Sequence, residues 1–296
     1  MRVLIAFLLF AFAPLLLLGR AQSPGLPEDS KIQQTSHQAD PAMADIPRNE
    51  PPSCNLDKII LRANMRLQEF VENVNRITAT EVLVHERLNR AGKSKEHERR
   101  KFNYVVVIQE PQPGKLILDE YRNGNGGKFG FPGDLATMGM PALALIFHSD
   151  HRDEFDMTCE GLSTWRDRPV WEVHFRQRKD RPARMSSLRV ANKSYPVRLM
   201  GTAWIDSESF QIIHLETDLL QTIPEVRLIT EHQAVDYGPV RFEARDISLW
   251  LPQKADILLD SGGKRFHHLH TFSNYQIFSV DYGQQISDPK QDQIPN

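Results

Sequence analysis

Catalytic signatures are what this sequence most lacks. There is no G-x-S-x-G elbow, and no serine, histidine and aspartate stand in the strand-turn-helix context that presents a nucleophile. The run Asn123-Gly124-Asn125-Gly126-Gly127-Lys128 lacks the spacing of a phosphate-binding loop and reads as a hairpin turn. Asp119-Glu120 and Asp153-Glu154 are adjacent pairs, so on strands their side chains face opposite sides and cannot serve one glycosidic bond as acid and base. Cysteine is scarce: Cys54 and Cys159 are the only two, and no C-x-x-C or Cys/His spacing suits zinc. Neither sign of charge is in excess, with 36 basic and 38 acidic residues and a net charge of −2. That balance removes any global attraction to nucleic acid or to an anionic membrane. After Leu18 no segment is apolar enough to span a bilayer.

What is present begins with an export signal. Arg2 precedes an apolar run from Val3 to Leu18, and Gly19 and Ala21 sit three and one positions before a cut ahead of Gln22. Residues 1–21 therefore read as a signal peptide, with an uncleaved anchor as the alternative. Residues 22–53 are rich in Pro, Ser, Gln and Asp and read as a disordered linker. The expected destination is the periplasm or the extracellular space, with peripheral or no membrane association after cleavage. In an oxidising compartment Cys54 and Cys159 are a candidate disulfide; two separate thiols are the alternative.

Apolar residues Leu56, Ile60, Ala63, Leu67, Phe70, Val74 and Ile77 recur at three and four residues, which predicts a helix of about six turns. From Thr80 the period changes to two, as in Glu81-Val82-Leu83-Val84-His85 and Phe102 to Val107, and predicts strands. Pro141 to Phe147 reads as a second short helix with proline in its first turn. Strand and turn then alternate to Val280. The best-marked hairpin turns are Asp206-Ser207-Glu208-Ser209, Asp236-Tyr237-Gly238-Pro239 and Ser261-Gly262-Gly263-Lys264. No helices alternate with the strands, which excludes a parallel nucleotide-binding sheet. The expected fold is α+β, mainly antiparallel β: a curled sheet or half-open β-barrel packed on one long N-terminal helix. It would form a single domain over residues 54–283, followed by a flexible tail at 284–296.

Gly201-Thr202-Ala203-Trp204-Ile205-Asp206 and Phe210-Gln211-Ile212-Ile213-His214-Leu215-Glu216 resemble a hairpin of the periplasmic lipoprotein carriers, the LolA/RseB-like proteins. His214 stands where those carriers often have arginine. Over most of its length the chain is also similar to a family of uncharacterised secreted bacterial proteins, through Glu81 to Arg87, Phe175-Arg176-Gln177-Arg178 and Tyr237-Gly238-Pro239-Val240. The carrier resemblance implies a half-open barrel over helices, enclosing an apolar cavity able to hold acyl chains.

The candidates for a ligand cavity are Trp165, Trp171, Trp204, Trp250 and Phe210, because an indole suits a site with one apolar and one polar end. Arg176, Arg178, Lys179, Arg181 and Arg184 are candidates for an anionic partner. His148 with His151, and His268 with His270, are weak metal candidates: each pair shares a face, but neither set supplies the three or four ligands zinc needs. No cofactor is expected. The reading is an exported, non-catalytic binding or carrier module for a hydrophobic or amphipathic ligand such as a lipid. One alternative is a secreted hydrolase or metal-dependent enzyme using the histidine pairs; another is an envelope module that binds a second protein.

Overall fold

A computed structural model describes residues 54–73, 76–112, 115–124, 135–191 and 193–278. The expected signal peptide, linker and tail lie outside these residues, as does most of the glycine-rich turn after Gly124.

The first element is α1 (Leu56–Asn73). Asn55 caps it, its Oδ1 accepting the Lys58 N–H at 3.0 Å. Its apolar stripe buries Ile59, Ile60 and Ala63, and each large aliphatic side chain so buried contributes about 1.5–3 kcal/mol. The helix is shorter than the periodicity predicts. Ile77 belongs to β1 (Arg76–Leu88), where Ile77, Ala79, Glu81, Leu83 and His85 alternate inward and the β-branched residues favour extended backbone.

The remaining elements are β2 (Ser94–Gln109), β3 (Ile117–Gly124), β4 (Leu135–Met138), a 3-10 helix (Met140–Phe147), α2 (Ser149–Arg152), β5 (Phe155–Trp165), β6 (Arg168–Gln177), β7 (Ser186–Val190), β8 (Lys193–Val197), β9 (Leu199–Asp206), β10 (Ile212–Leu219), β11 (Leu228–Phe242), β12 (Ile247–Ser261) and β13 (Lys264–Phe278). A 10-stranded antiparallel sheet runs β3-β2-β1-β13-β12-β11-β10-β9-β6-β5. Its edges, β3 and β5, do not pair, so the barrel stays open. A second sheet, β4-β7-β8, was not foreseen: the basic stretch from Gln177 to Arg189 leads into β7 instead of forming a loop throughout.

Two predicted turns hold. Asp206 Oδ1 accepts from the Ser209 N–H and hydroxyl, both at 2.8 Å. Gly262 and Gly263 take φ of 62° and 75° between β12 and β13, the left-handed pair a tight hairpin needs. The third does not. At Asp236/Tyr237 the pairing of β11 with β12 shifts by a β-bulge and both strands continue, turning only after Phe242. Gly238 and Pro239 mark an irregular strand, which is also a place where such residues are tolerated.

Candidate functional site

The inward face of the large sheet has two halves of different character. One is covered by α1 and the 3-10 helix, where Leu143, Leu145, Ile146 and Phe147 are wholly buried in an apolar core. The other holds buried charge beside the small sheet.

In the apolar half a cavity of about 50 Å³ lies between α1 and the strands. Leu67 and Phe70 of α1 line it from one side, and Tyr104, Tyr237, Trp250 and Tyr275 are among the residues facing them. Arg66 and Glu69 stand at its rim, exposed and paired at 3.0 Å. Arg66 Nε also donates to the Ser209 carbonyl at 2.9 Å, tying α1 to the Asp206–Ser209 turn. Further along α1, Asn64 Oδ1 accepts from Ser149 N at 2.8 Å, and Gln68 Oε1 from His148 Nε2 at 2.9 Å. Cys54, just before the helix, is joined to Cys159 of β5 as a disulfide, with Cα atoms 6.1 Å apart.

In the charged half, Glu81 accepts from Arg122 Nε at 2.6 Å and from His270 Nδ1 at 2.6 Å, with all three side chains buried. Arg122 also pairs with Glu120, and its guanidinium lies 5.0 Å from the centroid of the Tyr104 ring. Tyr104 therefore belongs to both halves, lining the cavity and touching the ion-pair network. Burial pushes the Glu81 carboxyl up, but Arg122 and the His270 hydrogen bond outweigh it and hold the group down at about 2. His268 Nε2 lies 2.9 Å from His85 Nδ1, and burial keeps His268 well below the ordinary histidine range. Glu231 of β11 is buried, and among the described residues no cation compensates it. It accepts from Thr137 at 3.3 Å and from Gln233 at 2.8 Å, and desolvation raises it to about 7.

No protein-family model and no curated protein matches the chain. Solved structures do resemble it. A DUF1329 family protein from Desulfovibrio piger is similar over 77% of this chain and 93% of its own, at 11% identity and a TM-score of 0.42. A putative outer membrane lipoprotein-sorting protein domain from Vibrio parahaemolyticus covers 78% and 95%, at 9% identity and 0.40. A LolA superfamily protein from Nitrosomonas europaea covers 76% and 94%, at 10% identity and 0.35.

Of the five aromatic candidates, Trp250 lines the cavity, and the Arg168 guanidinium lies 5.7 Å from its ring centroid. Phe210 packs at the edge of the core in the turn beside the cavity, at a φ of 58°. Trp171 packs on the core without lining the cavity, and its buried indole N–H meets no acceptor among the described residues. Trp165 and Trp204 lie elsewhere. Trp204 alternates with the buried Ala203 and Ile205 and so faces away from the core. Its centroid is 5.0 Å from Trp165, and Trp165 stacks on His214 at 4.0 Å. A bulge between Cys159 and Gly161 reverses the phase of β5, which puts Trp165 on that outer side. His214 Nδ1 reaches Asp236 at 2.6 Å, and Arg166 bonds the same carboxylate at 2.9 Å.

The basic stretch is largely self-satisfied. Arg178 pairs with Asp180 at 3.1 Å and Arg184 with Glu154 at 3.5 Å, while Arg176 extends along Met200. Arg198 donates to the carbonyls of Arg178, Lys179 and Arg181, which fastens the segment to β9. The histidine pairs do not converge on an ion site. His148 caps α2 and bonds Gln68, while His151 lies 3.8 Å from Glu154. His268 and His270 share one face, as the two-residue period requires, but bond His85 and Glu81 respectively. Among the described residues no group of three His, Cys, Asp or Glu side chains is arranged to hold a metal ion.

Residue-by-residue reading overlooked Glu81, His85, Arg122, Tyr104 and Glu231. The signal for three of them was in the sequence: Glu81 and His85 occupy the same alternation phase as Ile77, Ala79 and Leu83, and Glu231 that of Val235 and Tyr237, so inward strand faces carried ionisable groups. Arg122 gave no such signal, because it is buried beside Met138 of the small sheet.

Proposed function

We propose that this chain is an exported, non-catalytic binding module for an amphipathic ligand, and that the apolar cavity beneath α1 is where the ligand's apolar part is held. The observation that carries this reading is the cavity's two-faced lining: Leu67, Phe70 and Trp250 supply apolar wall, and Arg66, Glu69 and Gln211 supply polar groups. Small-molecule sites have this composition, mostly apolar with a few placed polar groups. At about 50 Å³ the cavity has room for little more than one water's share of liquid volume. An acyl chain is accommodated only when α1 shifts outward. The polar bonds of α1 to Ser149, His148 and Ser209 can be exchanged for water in such a shift, while the Cys54–Cys159 bridge keeps its first turn attached. A disulfide also suits an oxidising compartment, in keeping with export to the periplasm or beyond.

The test is native mass spectrometry of the protein isolated from its host's envelope, followed by denaturation and lipid extraction. An amphiphile of defined mass is expected at about one per chain, and Leu67→Trp, which fills the cavity from the helix side, is expected to lose it while melting as a folded protein. Wild-type protein that is ligand-free in the envelope and does not take up a fluorescent fatty acid in vitro would sink the reading.

A further inference from the structure

A strongly basic surface lies at the end of the sheet remote from the cavity. There the β1–β2 hairpin tip, residues 89–93, stands beside the β12–β13 tip at Gly262-Gly263, because β1 and β13 are neighbours and Leu88 is opposite Arg265. Arg90, Lys93 and Lys95 belong to the first tip and Lys264 and Arg265 to the second, all exposed. Arg227 joins them from the start of β11, its Nη2 only 3.8 Å from where a Cβ on Gly262 would sit. The carboxylates at this end are fewer. Glu96 pairs with Arg87, Glu98 with Arg100 and Glu86 with His267, Asp260 lies 3.7 Å from Arg265, and Glu225 is exposed on the turn before Arg227. Arg90, Lys93, Lys95, Lys264 and Arg227 have no carboxylate partner among the described residues. Between the two tips is an open concavity of about 860 Å³, and Ile229, 55% exposed, stands next to the buried start of β11.

We infer that these paired hairpin tips dock the protein on a membrane surface bearing anionic headgroups. The chain's overall charge of −2 gives no general attraction to polyanions, so any such affinity is local to this end. The cations sit on exposed turns spread over two hairpins, and the residues lining the concavity between them are exposed or half-buried, not the buried polar groups that enclose a single small anion. An exposed isoleucine beside them suits the boundary between headgroups and acyl chains better than it suits a soluble polymer. Trp250, Ile77 and Tyr275 line the cavity near one end of β12, β1 and β13, and the basic tips close the other end of the same three strands. The eleven residue-to-residue steps from Ile77 to Leu88 span about 36 Å at strand rise. Docking by the tips thus holds the cavity mouth off the bilayer, free to meet a second partner.

The experiment is co-sedimentation of the purified full-length secreted protein with phosphatidylcholine vesicles and with vesicles containing phosphatidylglycerol. Binding is expected only to the anionic vesicles and is expected to fall steeply between 50 mM and 500 mM salt. Neutralising three cations together (Arg90→Gln, Lys95→Gln and Lys264→Gln) is expected to weaken partitioning about a hundredfold, at roughly fivefold per basic residue near the surface. Arg178→Gln with Lys179→Gln, on the other basic stretch, is expected to leave it unchanged. All these residues but the half-buried Arg178 are exposed, and an unaltered thermal melt checks that each variant folds. Equal binding to both vesicle types, loss of binding in the Arg178/Lys179 variant, or retention in the triple variant would overturn the inference. So would displacement by millimolar inorganic phosphate or by polyphosphate, which would mark an anion site in place of a surface.

Discussion

Glu81 and Glu231 both face the buried side of the large sheet, and their surroundings push them in opposite directions. Glu81, held at about 2 by Arg122 and His270 against a usual 4.5, is more easily ionised folded than unfolded. Its contribution is present above pH 4.5 and is lost as pH falls toward 2. Glu231, raised to about 7 by burial, is harder to ionise folded. Its contribution is present below pH 4.5 and is lost as pH rises through 7. Burial of His268 acts the other way, since a histidine kept neutral on folding gains stability as pH rises through the unfolded value of 6.5, so the glutamate is read from a difference. The urea-derived stability of wild type minus that of Glu231→Gln is expected to fall by about 2–3 kcal/mol between pH 5 and pH 8, since each tenfold change in proton affinity on folding is worth roughly 1.4 kcal/mol. A difference that stays constant over that range would contradict the assignment. For the other group, Arg122→Met leaves Glu81 buried without its main counter-charge and is expected to cost about 3–5 kcal/mol. Urea melts of Arg122→Met and of the double variant Glu81→Leu/Arg122→Met measure this, with the double variant expected to be the more stable of the two.

At the scale of elements, two close approaches fix how strands and helix meet. A Cβ on Gly201 of β9 would fall 2.0 Å from the Glu216 carbonyl oxygen of β10 and 2.8 Å from the Phe175 ring, so only glycine lets these backbones lie so near. Gly201→Ala is expected to cost about 1–3 kcal/mol or more, as overpacking does, and to lower the melting temperature by several degrees. Helix α1 is anchored through Cys54 to β5 across a sequence separation of 105 residues. Cys54→Ser with Cys159→Ser is expected to lose about 2–4 kcal/mol, chiefly because the unfolded chain gains freedom. Dithiothreitol should reproduce that loss in wild type and change nothing in the double variant, a comparison read directly from urea midpoints. The helix itself was legible from its three-and-four spacing. Its end was not, because Ile77 fits the helical stripe and the strand alternation equally well.

For the whole molecule, the cavity and the basic tips lie at opposite ends of β1, β12 and β13. Binding an amphiphile and docking on a bilayer are therefore separable: Leu67→Trp is expected to abolish ligand and spare vesicle binding, and the triple tip variant to do the reverse. Parallel native mass spectrometry and sedimentation of both variants check this, and loss of both properties in either variant would mean that the two ends are not independent. Of the site, Trp250 was named from the sequence by chemical type alone. Trp165 and Trp204 were named by the same reasoning and lie instead on the outer face beside His214, Trp165 stacked on its ring and Trp204 tilted against it; one extra residue in β5 puts Trp165 there.

Local order determined the class of fold. Period-two runs, the Asp206 and Gly262-Gly263 turns and the absence of alternating helices are properties of neighbours in the chain, and they made an antiparallel sheet with one long helix readable before any contact was known. Which side chains meet was decided only by tertiary structure. Glu81 finds Arg122 across two strands, Glu231 finds Thr137 in another sheet, and Arg90 comes beside Lys264 because β1 and β13 pair although they stand at opposite ends of the described chain. Such pairings are set by sheet order and bulges, and those depend on summed packing over the whole sheet, which no window of sequence contains.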